Sequence, residues 1–198
     1  MIIPTSLGGF IFKEKFMKKI AVLLASLLFL GSAFAAEIDS GASTFKWSAT
    51  KKVGSGHSGT IPLKSQTAQF DKKGNLVSGE FVMDLANFDV IDLEGEWKEK
   101  FLTHVKSADF FNVEKYPTAK LVITSVKGDK VSGKLTIKEK TNDISFKVKK
   151  DKSGYKGTLT FDRTKFDMIY GSGNFFKELT ADKVINNDVK VEFSVAVK

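Results

Sequence analysis

The sequence predicts an all-β protein, an eight-stranded antiparallel up-and-down barrel with one amphipathic helix segment. Apolar and polar residues alternate with a period of two in one segment after another between residues 45 and 197, which is typical of half-buried strands. Most connections between these segments are short and rich in turn-forming residues. No internal repeat or low-complexity linker divides the chain. A single closed sheet accounts for all three observations, because closure leaves no strand edge unpaired.

Residues 1–35 are predicted to form a cleavable signal peptide. Met17 and two lysines precede an apolar run of eleven residues that ends in small residues, which is the layout of a secretory leader. The run is too short for a membrane span, which needs about 20 residues. We therefore expect cleavage between Ala35 and Ala36, a single mature domain of residues 36–198 in the periplasm, and no stable membrane insertion. Met17 opens a complete leader on its own, so it is the expected translation start.

Three strands are predicted in the first half of the mature domain. Residues 45–49 alternate apolar side chains with lysine and serine, as a half-buried strand does. A second strand is expected over residues 57–70, where Pro62 indicates an edge or a bulge. Residues 81–85 alternate again and form the third strand. Turn residues separate these segments, so we expect the strands in meander order.

One helix interrupts the strands at residues 92–106. Leu93, Trp97, Phe101 and Val105 recur at four-residue spacing, which places them on one face of a helix. An aspartate at the start and glutamates in the first turn favour a helix N-terminus there. We expect this amphipathic helix to cover an opening of the barrel.

Five further strands are predicted after the helix, because the alternation resumes over residues 121–123, 131–137, 144–148, 155–161 and 189–197. An eight-stranded barrel is so narrow that its side chains either fill the interior or leave room for one small ligand. The spacing of the apolar residues is compatible with both arrangements. At this point the filled and the hollow interior are equal alternatives.

The stretch from His104 to Pro117 follows neither the helical nor the strand period. It carries two adjacent aromatic residues, Phe110 and Phe111, which are unusual in a surface connection and are expected to fold inward. Its pattern, His-x-Lys-Ser-x-Asp-Phe-Phe-x-Val-x-x-Tyr-Pro, resembles the signature of the YceI-like family. Members of that family are periplasmic, lipocalin-like barrels that bind polyisoprenoid lipids.

Later segments are also similar to this family. Residues 134–141 resemble its Leu-Thr-Ile hairpin, with Glu139 where glycine is usual. Residues 161–166 resemble its Asp-Arg-x-x-Phe element, and residues 185–189 resemble its Ile-Gly-Asp-x-Val element without the glycine. The resemblance thus covers essentially the whole mature chain. It implies a lipocalin-like barrel, and its departures lie in turns, where they bear on ligand choice more than on fold.

This resemblance favours a hollow barrel that transports or stores a polyisoprenoid or a similar long-chain amphiphile. It implies no catalytic residue, no metal and no cofactor. The bound molecule would be an isoprenoid quinone or a polyprenol-type lipid. It also suggests a homodimer. The inward apolar side chains expected to line the tunnel are Phe45, Trp47, Phe81, Met83, Trp97, Phe101, Phe110, Leu121, Ile123, Leu135, Ile137, Phe146, Leu159, Phe161 and Phe193.

Four polar side chains, His57, His104, Arg163 and Tyr170, are candidates for a lipid head group. A structural role at the helix end is the alternative for His104, and a solvated loop position is the alternative for His57. The Arg163 guanidinium suits bidentate contact with an anion. Its alternative is an ion pair with Asp162 at the barrel end.

Composition limits the other functions. With no cysteine and two histidines, the chain offers no disulfide, no thiolate site and no histidine cluster for a metal. The lysines behind the net charge of +8 are spread along strands, so nucleic-acid binding is not expected. No Gly-x-Ser-x-Gly motif is present. Two alternatives to lipid binding stay open: a filled barrel that acts through surface contacts in the envelope or in stress, and a hydrolase using the helix carboxylates Asp92, Glu94, Glu96 and Glu99.

Overall fold

The computed structural model describes residues 36–198. The predicted signal peptide, with the alternative start at Met17, lies outside these residues. The described part contains ten strands, one α-helix and one short 3-10 helix: β1 (Ile38–Lys51), β2 (Gly56–Thr60), β3 (Leu63–Phe70), β4 (Leu76–Asp84), β5 (Asp89–Val90), α1 (Gly95–Lys106), β6 (Thr118–Lys127), β7 (Lys130–Ile137), β8 (Lys140–Asp151), β9 (Gly154–Asp162), the 3-10 helix (Arg163–Phe166) and β10 (Ile185–Val197).

All ten strands belong to one antiparallel sheet, in the order β3-β4-β6-β7-β8-β9-β10-β1-β2-β5. Strands that follow one another along the chain are mostly neighbours in the sheet, as a meander requires. The predicted all-β, lipocalin-like class with one helix is confirmed. The strand count is ten instead of eight, because the predicted strand over residues 57–70 divides at Pro62 into β2 and β3, and the two-residue strand β5 pairs with β2.

The division at Pro62 curls the sheet. β2 pairs with β1, whereas β3 pairs with β4. At the bend itself, the amide of Ile61 donates to the carbonyl of Phe45 (3.1 Å), and the carbonyl of Pro62 accepts from the amide of Asp84 (2.9 Å). Proline has no amide hydrogen to donate. One bent segment therefore joins β1 on one side to β4 on the other.

Alternation fixes which side chains face the interior, and β7 illustrates this. Val131, Leu135 and Ile137 are buried, whereas Lys130 and Lys134 are exposed. Successive side chains of a strand point to opposite faces of the sheet. The apolar residues of each strand therefore meet inside the barrel, and the lysines lie on its outer surface.

One end of the barrel, which we call the floor, is closed. The hydroxyl of Tyr155 in β9 accepts a hydrogen bond from the amide of Leu76 in β4 (2.8 Å), although these two strands are not neighbours in the sheet. Outside this bond, the Lys150 ammonium donates to the carbonyl of Gly74 (2.7 Å) and to the Asn75 side chain (2.9 Å). The floor is thus tied across the barrel by one buried and two surface hydrogen bonds.

Helix α1 and the connections around it cover the other end, which we call the roof. The Trp47 indole donates to the carbonyl of Asp89 (2.9 Å). Its ring stacks on Phe88 (4.7 Å between centroids) and is parallel to Phe101 of α1 (6.0 Å). Val105 of the same helix is buried in this cluster. Trp47 therefore joins β1 to the helix. No helix within residues 36–198 is long and apolar enough to cross a membrane.

Helix α1 begins at Gly95, three residues later than predicted. Its N-cap, Glu94, makes no side-chain capping hydrogen bond. Asp92, the predicted cap, instead accepts from the amide of Ser58 (2.8 Å) and lies 3.2 Å from Nδ1 of His57. The carboxylate therefore connects the approach to the helix with β2.

Carboxylates in the floor turns make stability sensitive to acid. The Asp71 carboxylate accepts from the amides of Asn75 and Lys73, which lowers the pKa of Asp71 below 3.8. Asp151 accepts from Ser153 and pairs with Lys156, and its pKa is lowered further. A carboxyl whose pKa is lower in the folded state adds stability above its unfolded pKa and loses it as the pH falls through the folded value.

We therefore expect the unfolding temperature to decrease as the pH falls below about 4. Circular dichroism melts of the mature protein across this range would measure it. The double variant Asp71→Asn and Asp151→Asn should show a weaker dependence on pH over the same interval. An equal dependence in both proteins would contradict the assignment to these turns.

Candidate functional site

The barrel encloses a cavity of about 240 Å³. Its walls come from every strand of the barrel except the short β5, and from α1, and almost all of the lining side chains are aliphatic or aromatic. Several of them, including Phe45, Leu121, Val148 and Phe193, point inward and yet are only half-buried. They face open space where a filled core would supply packing partners. The hollow interior, one of the two alternatives from the sequence, is the one observed.

Fourteen of the fifteen predicted tunnel residues lie on the cavity wall. They are Phe45, Trp47, Phe81, Met83, Phe101, Phe110, Leu121, Ile123, Leu135, Ile137, Phe146, Leu159, Phe161 and Phe193.

Trp97 is the exception, and its predicted position was wrong. Its side chain is 72% exposed, and the Lys100 ammonium lies over its ring at 5.3 Å. Trp97 belongs to the first turn of α1, whereas only the later turns, with Phe101 and Val105, reach the cavity. The helical spacing identified the apolar face correctly, but the face extends beyond the barrel rim.

The cavity opens at the roof end beside the β1–β2 hairpin. The lining residues there are Thr50 and Lys51, which are exposed, and Gly56 and His57, which are half-buried. We call these four residues the mouth. The lining residues at the floor, by contrast, are buried: Ile38, Phe70, Leu76, Tyr155 and Val195.

His57 is the predicted head-group residue that lies at the mouth. Its ring contacts Phe101 (4.8 Å between centroids), and its Nδ1 lies 3.2 Å from the Asp92 carboxylate. The side chain is about one-third exposed and also lines the cavity. His57 is thus a polar group placed where the apolar cavity meets water.

Arg163 is buried, with 2% of its surface exposed, and each of its three guanidinium nitrogens makes a hydrogen bond. It donates to the carbonyls of Ile185 (3.0 Å), Asn186 (3.1 Å) and Met168. Burial lowers the pKa of Arg163 to about 10, so the group stays protonated at neutral pH. These three bonds to backbone carbonyls favour a structural role for Arg163, although it also lines the cavity, and the anion clamp stays a prediction.

The alternative ion pair with Asp162 is also absent within the described residues. The Asp162 carboxylate instead caps the 3-10 helix by accepting from the amide of Thr164 (2.9 Å). Arg163 therefore holds the connection after the 3-10 helix against the start of β10.

His104 and Tyr170 lie at the roof and not on the cavity wall. The His104 ring packs edge-on against Phe110 (5.2 Å) and Tyr170 (4.6 Å), and the Tyr170 side chain is 46% exposed. The carbonyl of His104 accepts from the amide of Ser107 (3.1 Å), where α1 ends. This geometry favours the structural role at the helix end that was the alternative for His104.

Other residues of the cavity wall were missing from the predicted set. Some of them are marked by the alternation of a strand, and others lie in connections that no periodicity marks. Tyr155 and Val131 follow the alternation of their strands, which is sufficient to place them inside. Phe88 lies in the connection between β4 and β5, and Met168 follows the 3-10 helix, so no periodicity marks either of them.

A curled antiparallel sheet that surrounds an apolar cavity defines a barrel of the lipocalin-like class. The chain belongs to the YceI-like family, whose domain model matches residues 37–197. The family predicted from the His104–Pro117 stretch is confirmed.

Two comparisons bear on relatives of known sequence or structure. UPF0312 proteins of Pseudomonas putida strains F1 and KT2440 are 39% identical over 94 residues, which covers 40% of this chain and 48% of each relative. The chain thus spans about half the length of the curated relatives it matches. The crystal structure of Burkholderia cenocepacia BcnA is 24% identical with a TM-score of 0.61, and the match covers 82% of this chain and 99% of that chain. This similarity supports the fold.

Proposed function

We propose that this protein binds a polyisoprenoid or a similar long-chain amphiphile in the barrel and transports or stores it without chemical change. The observation that carries this proposal is the apolar cavity of about 240 Å³ with one open end. Water in such a cavity finds few polar partners, whereas an apolar chain gains about 25 cal/mol for each Å² removed from water. The head group would lie at the mouth, beside His57 and Lys51.

The surroundings of the polar residues favour binding over catalysis. Arg163 makes three hydrogen bonds to backbone carbonyls, and the Glu96 carboxylate pairs with Lys100 on the surface of α1 (2.6 Å). Asp92, another of the carboxylates considered for a hydrolase, bonds to the amide of Ser58. No nucleophile next to a base faces the cavity among the lining residues.

We further propose that the mature protein, residues 36–198, acts in the periplasm. The support is the secretory layout of the N-terminal sequence and membership of the YceI-like family. Fractionation of the native host, with a periplasmic and a cytoplasmic marker protein, would test this location.

Blocking the mouth should abolish ligand retention. Ala49 lies on the cavity wall directly opposite His57 in the β1–β2 pairing, and it is half-buried. The variant Ala49→Phe would put an aromatic ring into the entrance, beside the roof cluster against which Ala49 packs. Native mass spectrometry of protein from the periplasm, followed by organic extraction, should show bound long-chain lipid in the wild type and little or none in Ala49→Phe.

The matched control is Ser48→Phe, which adds the same ring at the preceding residue of β1, on the outer face. It should keep the bound lipid. A wild-type protein that carries no lipid and takes up no added quinone or polyprenol would contradict the proposal and favour a protein partner. Equal lipid retention in both variants would contradict entry at this mouth.

A further inference from the structure

We infer that the cavity encloses one chain of about three isoprene units, or about 12 main-chain carbons, and that Tyr155 sets this limit. The inference rests on the proposed function and narrows it to a chain length. A longer polyisoprenoid would keep the rest of its chain outside the mouth.

The floor prevents a chain from passing through the barrel. The Tyr155 ring is 93% buried, and its hydroxyl bonds to the amide of Leu76 on a strand across the barrel (2.8 Å). Lys150 lies over this ring at 5.8 Å and holds the β3–β4 turn from outside. A ligand chain that enters at the mouth therefore ends at Tyr155.

The depth of the cavity follows from the strand register. On β9, six residue steps separate Tyr155 at the floor from Phe161, which pairs with Val189 near the roof. At about 3.3 Å per residue and a strand tilt of about 40°, the depth along the barrel axis is about 15 Å. An extended chain advances about 1.2 Å per bond, so about 12 main-chain carbons fill this depth.

The volume gives a smaller limit by a different route. An apolar cavity of about 150 Å³ holds one benzene, which corresponds to about 25 Å³ per carbon. The cavity of about 240 Å³ then holds about 10 carbons, which is about two isoprene units, so the three units that the depth allows are an upper limit. A chain of eight isoprene units has about 40 carbons, so most of it would remain outside.

Aromatic rings narrow the cavity near the floor. Phe146 of β8 and Phe193 of β10 meet edge to face above β9, the strand between theirs, with 5.7 Å between ring centroids. The Phe193 ring also lies over Gly157, where a Cβ atom would come within 2.8 Å of its Cζ atom. The glycine thus makes room for this ring, and the ring narrows the cavity above Tyr155.

The test is a binding series of isoprenols with two, three, four and eight isoprene units. The assay is the fluorescence of Trp47 in the mature Trp97→Phe protein, because Trp47 lies on the cavity wall and Trp97 is exposed. From two to three units the affinity should rise about tenfold or more, since a further unit is buried. From three to eight units it should change by less than about threefold, because the added units stay in contact with solvent.

Variants assign the limit to particular side chains. We call the chain length at which the affinity stops rising the plateau. Tyr155→Ala removes the ring and should move the plateau from three to four isoprene units. Tyr155→Phe keeps the ring and should leave the plateau at three. If Tyr155→Ala does not fold, Val148→Phe serves instead: Val148 is half-buried on the lower wall, and the larger ring should move the plateau to two units.

The outcomes separate this inference from the proposed function. An affinity that continues to rise from three to eight units overturns the chain-length limit while supporting lipid binding. The same plateau in wild type and Val148→Phe overturns the assignment to the floor. Failure of every isoprenol to bind the folded protein overturns the proposed function, and the chain-length limit with it.

Discussion

Replacing Trp47 with alanine is expected to lower the free energy of unfolding by about 3–5 kcal/mol. The ring is 96% buried, stacks on Phe88 and Phe101, and donates to the carbonyl of Asp89. The substitution removes the largest side chain of the roof cluster and leaves the Asp89 carbonyl without this donor. Both losses act on the connection between β1 and α1.

Equilibrium denaturation in urea, followed by circular dichroism, would measure the loss. Trp97→Ala is the matched control, because it makes the same change at a side chain that is 72% exposed. We expect a change within about 0.5 kcal/mol for the control. Comparable losses in the two variants would contradict the role assigned to Trp47.

Arg163→Met is expected to cost about 3 kcal/mol of folding stability. Met168, Ile185 and Asn186 would each lose the donor that now serves their carbonyls, and an unpaired buried acceptor costs about 1–3 kcal/mol. Removing a buried charge offsets part of this cost, since a charged group is expensive to desolvate. Arg163→Lys keeps the charge but loses the forked donor geometry, so we expect an intermediate loss.

Hydrogen exchange can locate the effect as well as measure it. In Arg163→Met, amides after the 3-10 helix and at the start of β10 should exchange faster, because the guanidinium holds these two segments together. Amides at the floor, such as that of Leu76, should keep their protection. Uniform acceleration throughout the barrel would instead indicate a general loss of stability.

The interior of the barrel was predictable from sequence because alternation fixes the direction of each side chain. Phe146 and Leu159 lie between polar neighbours on their strands, and the structure places both on the cavity wall. A register error of one residue would have reversed both of them. The division of the strand at Pro62 was signalled only as an edge or a bulge, because the sequence does not show which strands lie on either side.

The surroundings of the polar residues were not predictable, because they depend on contacts between distant segments. Arg163 meets carbonyls 22 or more residues away, and no local pattern marks those acceptors. The Tyr155 hydroxyl finds its partner at Leu76, on the opposite side of the barrel. Trp97 matched the apolar period of α1, but the position of the helix relative to the rim decided its exposure.

The pairing of β1 with β10 has a consequence for the order in which the barrel folds. Phe45 pairs with Phe193, so the first and last strands of the described chain are neighbours. Their contact has a large sequence separation, and contacts of this kind form slowly because a long loop must close first. The sheet cannot close until β10 is available, which leaves β1 and β9 with open edges during synthesis. A chain in that state is prone to pair with other strands, so this barrel should depend on holding chaperones until β10 has emerged.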